Sequence, residues 1–489
     1  MPAGKGMVEM LAELRAQARD LLRHRVTRNF LSGAILQVLS QAVSLAIVVY
    51  LARELGPTSY GLLNMTMAIM AYFILLMTFG LPIIGTREVA RKNDASMQIW
   101  WDIAALRTAL AIVTYAILIV IALSVPALHD MRVLLILYGT SMFFIALFPD
   151  WTFIGLERMA WVALAQLIGS ALTLGLLVAL VHSSGNLKIA IVCVLAGSVL
   201  GLLILLVRLR QLNSSGPRLV IQRARLYELI RVAFPFIFAS LSSQVYGNAD
   251  LILVGFIRGK AQAGIYAAAY KVINLLAILI ALISQATYPA MARVFKSDPE
   301  KRNAFARAMT AAMLAIFLPI ALGGTLIAGN LTRFFYGAKY AATAEPMAIL
   351  LWYVFFSALS ISFANALLAT NEDRPYITAI TVGAIIDLAL ISFMVPLWGA
   401  NGAAIAMVIA ESFILVYLGI QAHRKLKIGF MRARVFLPIL VSTLVMTAVV
   451  WALRKHLMVL LVIVCATLVY GLTLGACFFL TYKGPGQEA

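Results

Sequence analysis

The chain has 489 residues, of which 63% are hydrophobic and only 12% charged, and its mean hydropathy is +0.96. This composition excludes a soluble protein built around one core and predicts a multi-pass membrane protein. Lys and Arg number 39 against 20 Asp and Glu. In a membrane protein such an excess is expected in cytoplasmic loops, so the positive charge does not indicate a nucleic-acid partner.

Residues 1–28 combine apolar and basic side chains at helical spacing before the first apolar span. Leu11, Leu14 and Ala18 fall on one stripe, and Arg15 and Arg19 lie beside it. A helix of this kind lies on the anionic inner surface of a membrane. We therefore predict a cytoplasmic amphipathic segment at residues 1–28 that contacts anionic membrane lipids.

Apolar windows of about 20 residues, the length needed to cross a bilayer as a helix, predict an all-α integral membrane protein with about 14 transmembrane helices. The predicted spans lie at about 29–52, 62–85, 103–127, 133–154, 161–182, 189–209, 232–257, 263–291, 308–328, 346–370, 376–396, 402–422, 435–453 and 457–482.

The spans divide the chain into two six-helix lobes. Residues 29–210 form the first lobe, and residues 232–423 form the second. A basic cytoplasmic linker at 211–231 joins them, and 424–489 holds the last helix pair with a short cytoplasmic tail. An even number of spans puts both termini on one side. Most Lys and Arg residues fall on that side, which the positive-inside rule makes cytoplasmic.

An internal repeat supports the two lobes. The stretch RELGPTSYGLLNMTMAI after the first span matches IRGKAQAGIYAAAYKVI after the seventh, so Gly56 and Gly61 align with Gly259 and Gly264. Six intervening spans keep both halves in the same orientation, and a pseudo-two-fold axis along the membrane normal would relate them. The alternative is chance similarity between two glycine-rich turns.

An acid and a base interrupt the apolar sequence from Asn248 to Lys271. With a turn at Gly259, helical rise puts Asp250 and Lys271 about 10–12 Å inside the same membrane face. Ionisable groups at that depth are costly and mark a pathway, a partner or a coupling site. Lys271 is the candidate contact for an anion, and Tyr266 and Tyr270 on the same helix offer aromatic faces and hydroxyls to the same ligand. The alternative is that Asp250 and Lys271 neutralise each other.

Further candidates lie at the ends and middles of spans. Arg28, Arg87 and Arg91 are placed at the cytoplasmic mouth, where they bind substrate or serve only as topology signals. Asp387 and Glu411 fall near the midplane of the eleventh and twelfth spans. With Asp250 they form a predicted cation-coupling set in the second lobe. Buried protonated carboxyls that only form hydrogen bonds are the alternative.

The sequence offers no catalytic motif. It contains no HExxH, no nucleotide-binding glycine loop and no Ser/His/Asp set at a recognisable spacing. Outer connections are too short for a catalytic domain, so we predict that the protein is not an enzyme and needs no cofactor beyond Na⁺ or H⁺ as a coupling ion. Cys193, Cys465 and Cys477 lie in apolar spans without the spacing of a disulfide or metal site.

Four stretches carry a family resemblance over the whole chain: ARELGPTSYGLLNM, GLPIIGTREVAR, LYELIRVAFPF, and ADLILVG followed by AGIYAAAYKV. They resemble the oligosaccharide-flippase (Wzx-like) branch of the multidrug/oligosaccharidyl-lipid/polysaccharide exporter superfamily. The resemblance implies two six-helix lobes around a central cavity in a bacterial inner membrane. It also implies transfer of an undecaprenyl-pyrophosphate-linked glycan from the cytoplasmic to the periplasmic leaflet by alternating access, with glycan polymerase components as candidate partners.

The same resemblance bears on the coupling ion. Related peptidoglycan-precursor flippases have a sodium site built from helices seven, eleven and twelve, and the resemblance puts Asp250 and Asp387 in comparable places. Gly383 stands four residues before Asp387, where an Asn would complete that pattern, so the ion stays open between Na⁺ and H⁺.

Three rival functions remain. A peptidoglycan lipid-precursor flippase would share the fourteen helices. A multidrug cation antiporter of the same superfamily would have twelve helices and an acidic cavity. A membrane glycan polymerase or ligase would need a large outer loop with catalytic groups.

Overall fold

The structure is a computed structural model, and it describes residues 25–92, 95–212, 223–295, 299–429 and 433–482. Nearly all of the predicted interfacial segment, 1–28, therefore lies outside the described residues, as do the last seven residues of the chain and part of the linker at 211–231. Within the described ranges every regular element is a helix.

Sixteen α-helices are described. They are α1 (Arg25–Thr78), α2 (Leu81–Arg91), α3 (Ser96–Ser124), α4 (Arg132–Gly139), α5 (Ser141–Leu147), α6 (Asp150–Gly155), α7 (Met159–Leu180), α8 (Leu187–Leu212), α9 (Arg223–Arg258), α10 (Lys260–Val294), α11 (Pro299–Tyr336), α12 (Ala344–Leu368), α13 (Asp373–Trp398), α14 (Ala400–Leu426), α15 (Ala433–Leu453) and α16 (Val459–Tyr482). Short 3₁₀ turns precede α4, α8 and α12.

The prediction of an all-α membrane protein is confirmed. Among the described residues, 12 helical runs are long and apolar enough to cross a membrane. One of them, Leu36–Thr78, covers most of both the first and the second predicted span, because α1 continues through Gly56. The predicted seventh span lies within α9. The count of fourteen therefore holds approximately.

The helices form two compact units. The first contains residues 1–55 and 69–241, and the second contains residues 56–68 and 242–489. The short stretch 56–68, which follows the glycine break in α1, belongs to the second unit although its neighbours on both sides belong to the first.

In the first unit the fourth predicted span is broken into α4, α5 and α6. Pro149 stands at the last break, where the proline offers no N–H to the carbonyl groups of the preceding helix. Arg107, which is only 2% exposed, supplies side-chain donors to these carbonyl groups. Its Nη2 donates to the Ile145 carbonyl at 2.6 Å and its Nη1 to the Phe148 carbonyl at 3.4 Å. The indole of Trp100 donates to the Leu147 carbonyl at 3.2 Å.

The second unit contains the bundle of α11 to α14, and a C-terminal hairpin packs onto it. Helices α15 and α16 contact α11 through a cluster that includes Ile327, Met446, Val450 and Val462. Burial of this apolar cluster holds the hairpin against the unit.

Two glycine breaks in the second unit have the same backbone conformation. Gly56 has φ 70° and ψ 171°, and Gly259 has φ 88° and ψ 168°. The left-handed φ suits glycine because it lacks a Cβ atom. Five residues after each break, Gly61 and Gly264 contact each other's helix segment so closely that a Cβ on either would overlap a backbone carbonyl oxygen, that of Lys260 or that of Pro57. The alignment predicted from the repeat is thus matched in the backbone.

Substituting Gly61 tests this crossing. In Gly61→Ala the added methyl group has no space unless the two segments separate, and overpacking of this kind costs about 1–3 kcal/mol. We expect a lower melting temperature in detergent. Gly175→Ala in α7 is the matched control, since a Cβ there meets nothing within 4 Å and Ala is the better helix former. Equal melting temperatures for the two variants would show that the crossing is not tight.

Candidate functional site

A polar cavity of about 290 Å³ lies in the second unit between the part of α1 after Gly56, α9 and α10. Its polar lining consists of Asn64, Asn248, Tyr266, Tyr270, Lys271 and Asn274. Four of these six residues come from α10, where spacings of four residues put Tyr266, Tyr270 and Asn274 on one face, with Lys271 next to them. The cavity therefore combines one cation with amide and phenol groups, a set suited to a phosphorylated sugar.

The cavity lies between equivalent positions of the repeat. With Gly56 aligned on Gly259, Asn64 corresponds to Ala267, Met67 to Tyr270 and Ala68 to Lys271, and all six of these residues line the cavity. The first copy of the repeat contributes an amide and two apolar side chains. The second copy contributes the phenol of Tyr270 and Lys271, the only charged residue in the described lining. Most of the polar groups of the cavity therefore belong to α10.

Lys271 has no partner within the described residues. It is partly buried, and it takes part in no ion pair or hydrogen bond there. Asp250 forms its contacts elsewhere, with Tyr266 and Asp387. The Asp250–Lys271 ion pair considered from the sequence is therefore not formed in the described part of the chain, and the Lys271 ammonium is available to a ligand in the cavity.

The three predicted coupling acids come together in the second unit. Asp250 on α9, Asp387 on α13 and Glu411 on α14 are 3%, 2% and 5% exposed. The Tyr266 hydroxyl donates to Asp250 Oδ2 at 2.8 Å, and the carboxyl group of Asp387 interacts directly with that of Asp250. Glu411 lies close enough to act electrostatically on Asp387. The acids thus form one cluster on three helices that are far apart in the sequence.

The carboxyl pair suits a small cation. Asp250 Oδ1 and Asp387 Oδ1 are both buried and accept no hydrogen bond. Two carboxylates in direct contact repel each other unless a proton or a cation lies between them. Across the described residues, no three His, Cys, Asp or Glu side chains are arranged to hold a metal ion. Asp250 and Asp387 are the residues that would hold H⁺ or Na⁺, and the cluster itself does not select between the two.

The described lining of this cavity contains none of the three predicted arginines. Arg87 and Arg91 are exposed on α2 in the first unit, and neither is among the described residues that line the cavity. The side chain of Arg28 lies outside the described part of the structure. The substrate-binding roles of these three residues stay predictions.

Sequence reasoning missed three asparagines of the lining. Asn64, Asn248 and Asn274 all lie within or beside predicted spans, and an amide inside an apolar span is itself a signal of a polar cavity or a helix contact. The repeat would have pointed to Asn64, because its equivalent position is only three residues before Tyr270.

An apolar groove of about 540 Å³ lies on the other side of α10. Val272, Leu275 and Leu276 of α10 line it together with residues of α11, α12, α15 and α16. Its walls include Pro319, Gly323, Met446 and Val462. A single helix therefore has a polar cavity on one face and an apolar groove on another, with Lys271 and Val272 as adjacent residues on the two sides.

Solved structures share this fold. A lipid II flippase MurJ in an inward closed conformation matches with a TM-score of 0.74 over 92% of this chain and 98% of its own, at 16% identity. An inward-facing multidrug resistance MATE family transporter of the MOP superfamily matches with a TM-score of 0.63 over 80% of this chain and 94% of its own, also at 16% identity. The fold defines the class: this is a multi-pass membrane protein with the all-α architecture of MOP-superfamily transporters.

The sequence then gives the family. The family model described as polysaccharide biosynthesis protein matches residues 26–295, more than half of the chain, and the chain belongs to that family. A protein of Escherichia coli strain K12 named "Putative O-antigen transporter" is 23% identical over 392 residues, which are 79% of this chain and 94% of the relative. The family resemblance found in the sequence is confirmed, as is the prediction that the protein is a transport protein and not an enzyme.

Lys271→Met tests whether the lysine has a partner. Removing an unpaired, partly buried charge is neutral or stabilising, so we expect an unchanged or higher melting temperature in detergent. Breaking a buried pair and leaving Asp250 alone would instead cost about 3–5 kcal/mol. Arg107→Met is the matched control, because it strips donors from buried carbonyl groups and should cost about 1–3 kcal/mol. A loss for Lys271→Met as large as that of the control would contradict the structure.

Proposed function

We propose that this protein is a flippase for an undecaprenyl-pyrophosphate-linked oligosaccharide, an O-antigen or exopolysaccharide repeat unit. It moves this lipid from the cytoplasmic to the periplasmic leaflet of a bacterial inner membrane by alternating access, with both of its own termini in the cytoplasm. The observation that supports the proposal most is the arrangement around α10, where a polar cavity containing Lys271 and an apolar groove lie on different faces of the same helix. The family and the named O-antigen transporter relative agree with a lipid-linked glycan as the substrate class.

The polar cavity would lower the main energy barrier to moving such a lipid head group across the membrane. A pyrophosphate with attached sugars would have to leave water and cross about 30 Å of hydrocarbon, which imposes a barrier of many kcal/mol. Lys271 offers a charge-assisted contact for a phosphate oxygen, and the asparagine amides offer donors and acceptors for sugar hydroxyls. These groups replace the hydration that the head group loses.

The apolar groove suits the polyprenyl chain. Its described lining is apolar except for Thr467 and Tyr470, and it includes residues on the same helix turn as Lys271. A lipid whose pyrophosphate contacts Lys271 could therefore place its first isoprene units along Val272 and Leu276 while its head group stays in the polar cavity. The two sites together match a molecule with one charged end and one long apolar end.

The size of the cavity bears on the transport cycle. Pockets for small molecules usually have volumes of roughly 300–1,000 Å³, and this one has about 290 Å³. The conformation described here would thus hold the pyrophosphate with only the first part of a glycan. Passage of a complete repeat unit requires a more open conformation, as alternating access supplies.

The rival functions fit the cavity less well. A multidrug cation antiporter needs acidic groups around its ligand, whereas the only charged side chain in the described cavity lining is Lys271. A peptidoglycan lipid-precursor flippase would need the same pyrophosphate and polyprenyl contacts, and the MurJ likeness concerns the fold. Glycan display and lipid II transport assays on the same protein would separate these two substrates.

Anionic lipids and glycan polymerase components are proposed partners.

Charge reversal at Lys271 tests the anion contact. Lys271→Glu should abolish surface glycan in a complementation assay, because a carboxylate repels the pyrophosphate, while Lys271→Arg should keep much of it. Protein levels in the membrane are matched by immunoblot. Normal glycan display with Lys271→Glu would remove this residue from the pathway.

Neutralising Asp387 tests coupling. A cation can drive the cycle only if it binds one conformation more tightly than the other, and the buried pair of Asp250 and Asp387 is the proposed place for it. Asp387→Asn should leave folding and lipid binding largely intact and remove the dependence of flipping on a Na⁺ or H⁺ gradient in proteoliposomes. Asp373→Asn, at the exposed start of the same helix, is the matched control. Wild-type flipping that ignores both gradients would rule out coupling.

A further inference from the structure

Tyr266 contacts both the polar cavity and the carboxyl cluster of the second unit. Its ring lines the polar cavity, and its hydroxyl donates to Asp250 Oδ2 at 2.8 Å. The same hydroxyl lies 3.8 Å from the Met407 sulfur on α14. Only 1% of the residue is exposed, and its hydroxyl is directed at Asp250 and Met407.

Tyr270 is the natural comparison. It lies one turn further along α10, lines the same cavity, and its ring stacks on that of Tyr266 with centroids 5.9 Å apart and an interplanar angle of 13°. Within the described residues its hydroxyl forms no hydrogen bond, and the acids act on it only through their charge. The two tyrosines therefore share the cavity and the stack but differ in the bond to Asp250.

We propose that Tyr266 is a positioning residue that links the carboxyl pair of Asp250 and Asp387 to the polar cavity. The inference rests on the proposed cation coupling of a flippase. A cation held by the pair changes what Asp250 Oδ2 can accept, and the Tyr266 hydroxyl follows because it has no other strong acceptor. The ring moves with the hydroxyl and carries the stacked Tyr270, which is next to Lys271.

This link works in both directions. A ligand that moves the Tyr266 ring from the cavity side must also change the geometry of the Asp250 bond. Coupling between two sites is reciprocal, so the cation alters the affinity for the cavity ligand by the same factor as the ligand alters the affinity for the cation. The other ionisable groups facing this bond are Asp387, Glu411, Tyr270 and Tyr353.

The test measures affinity in place of transport. Binding of inorganic pyrophosphate to the purified full-length protein in detergent is measured in Na⁺ and in choline at one fixed pH. We expect the wild type to show at least about a fivefold difference in Kd between the two cations, the lower end of typical coupling. Tyr266→Phe should bring that ratio close to one, and Tyr270→Phe should keep it. Tyr266→His, which retains a donor, should restore part of the ratio.

Each contrary result overturns the inference in a different way. A wild-type ratio retained by Tyr266→Phe shows that the hydroxyl carries no coupling. Equal loss in both Phe variants shows that the bond to Asp250 is not what carries it, because both variants keep the stacked rings and Tyr266 alone forms that bond. A wild type whose affinity ignores Na⁺ means that there is no coupling to transmit. That last result leaves the flippase itself standing, because the Lys271 variants test glycan transport independently.

A second measurement covers the case in which Tyr266→Phe does not fold. The intact chain is labelled with 3-fluorotyrosine at position 266 or 270 and observed by ¹⁹F NMR. The signal at 266 should shift on addition of pyrophosphate and on exchange of the cation. The signal at 270 should respond mainly to pyrophosphate. A signal at 266 that ignores the cation overturns the proposal.

Discussion

The site in the second unit depends on the close approach of two glycines. Gly61 and Gly264 let the segment after Gly56 and the start of α10 cross with their backbones in contact. Because side chains are absent at the crossing point, the residues one turn further along each segment lie near each other and enclose the polar cavity. Asn64 and Ala267 are such a pair. Small residues serve the same purpose in other membrane helices, where close backbone approach takes the place of hydrophobic association.

Two sets of buried polar groups differ in whether the protein itself satisfies their hydrogen bonds. Arg107 and Trp100 satisfy carbonyl groups that a proline break has exposed, so their polarity maintains the chain's own backbone. Asp250, Asp387 and Lys271 keep atoms that no described protein group satisfies. In hydrocarbon such atoms are costly unless something else binds them during the working cycle. The first set therefore stabilises the fold, and the second set is the one to which we assign the proposed binding and coupling.

Much of the fold and of the candidate site could be predicted from the sequence, and each feature that was missed has a physical reason. The glycine break at Gly259 could be predicted because a left-handed backbone conformation favours glycine. The set of Asp250, Asp387 and Glu411 could be predicted from the depth of these residues in their spans and from the family resemblance. The division of the fourth span was missed, since hydropathy does not show which groups serve as hydrogen-bond partners, and the contacts of Arg107 with this span become visible only in the structure. The cavity asparagines were missed because their role depends on which helices meet, which only the crossing at Gly61 determines.

The two faces of α10 interleave along only eleven residues. Tyr266, Tyr270, Lys271 and Asn274 face the polar cavity, while Val272, Leu275 and Leu276 face the apolar groove. Each residue turns a helix by about 100°, so one inserted or deleted residue in this stretch would turn every following side chain by that angle relative to those before it. A point substitution alters one contact, whereas such an insertion would move several polar and aliphatic side chains off their cavity or groove together. The length of this stretch is therefore more constrained than the identity of any one of its aliphatic residues.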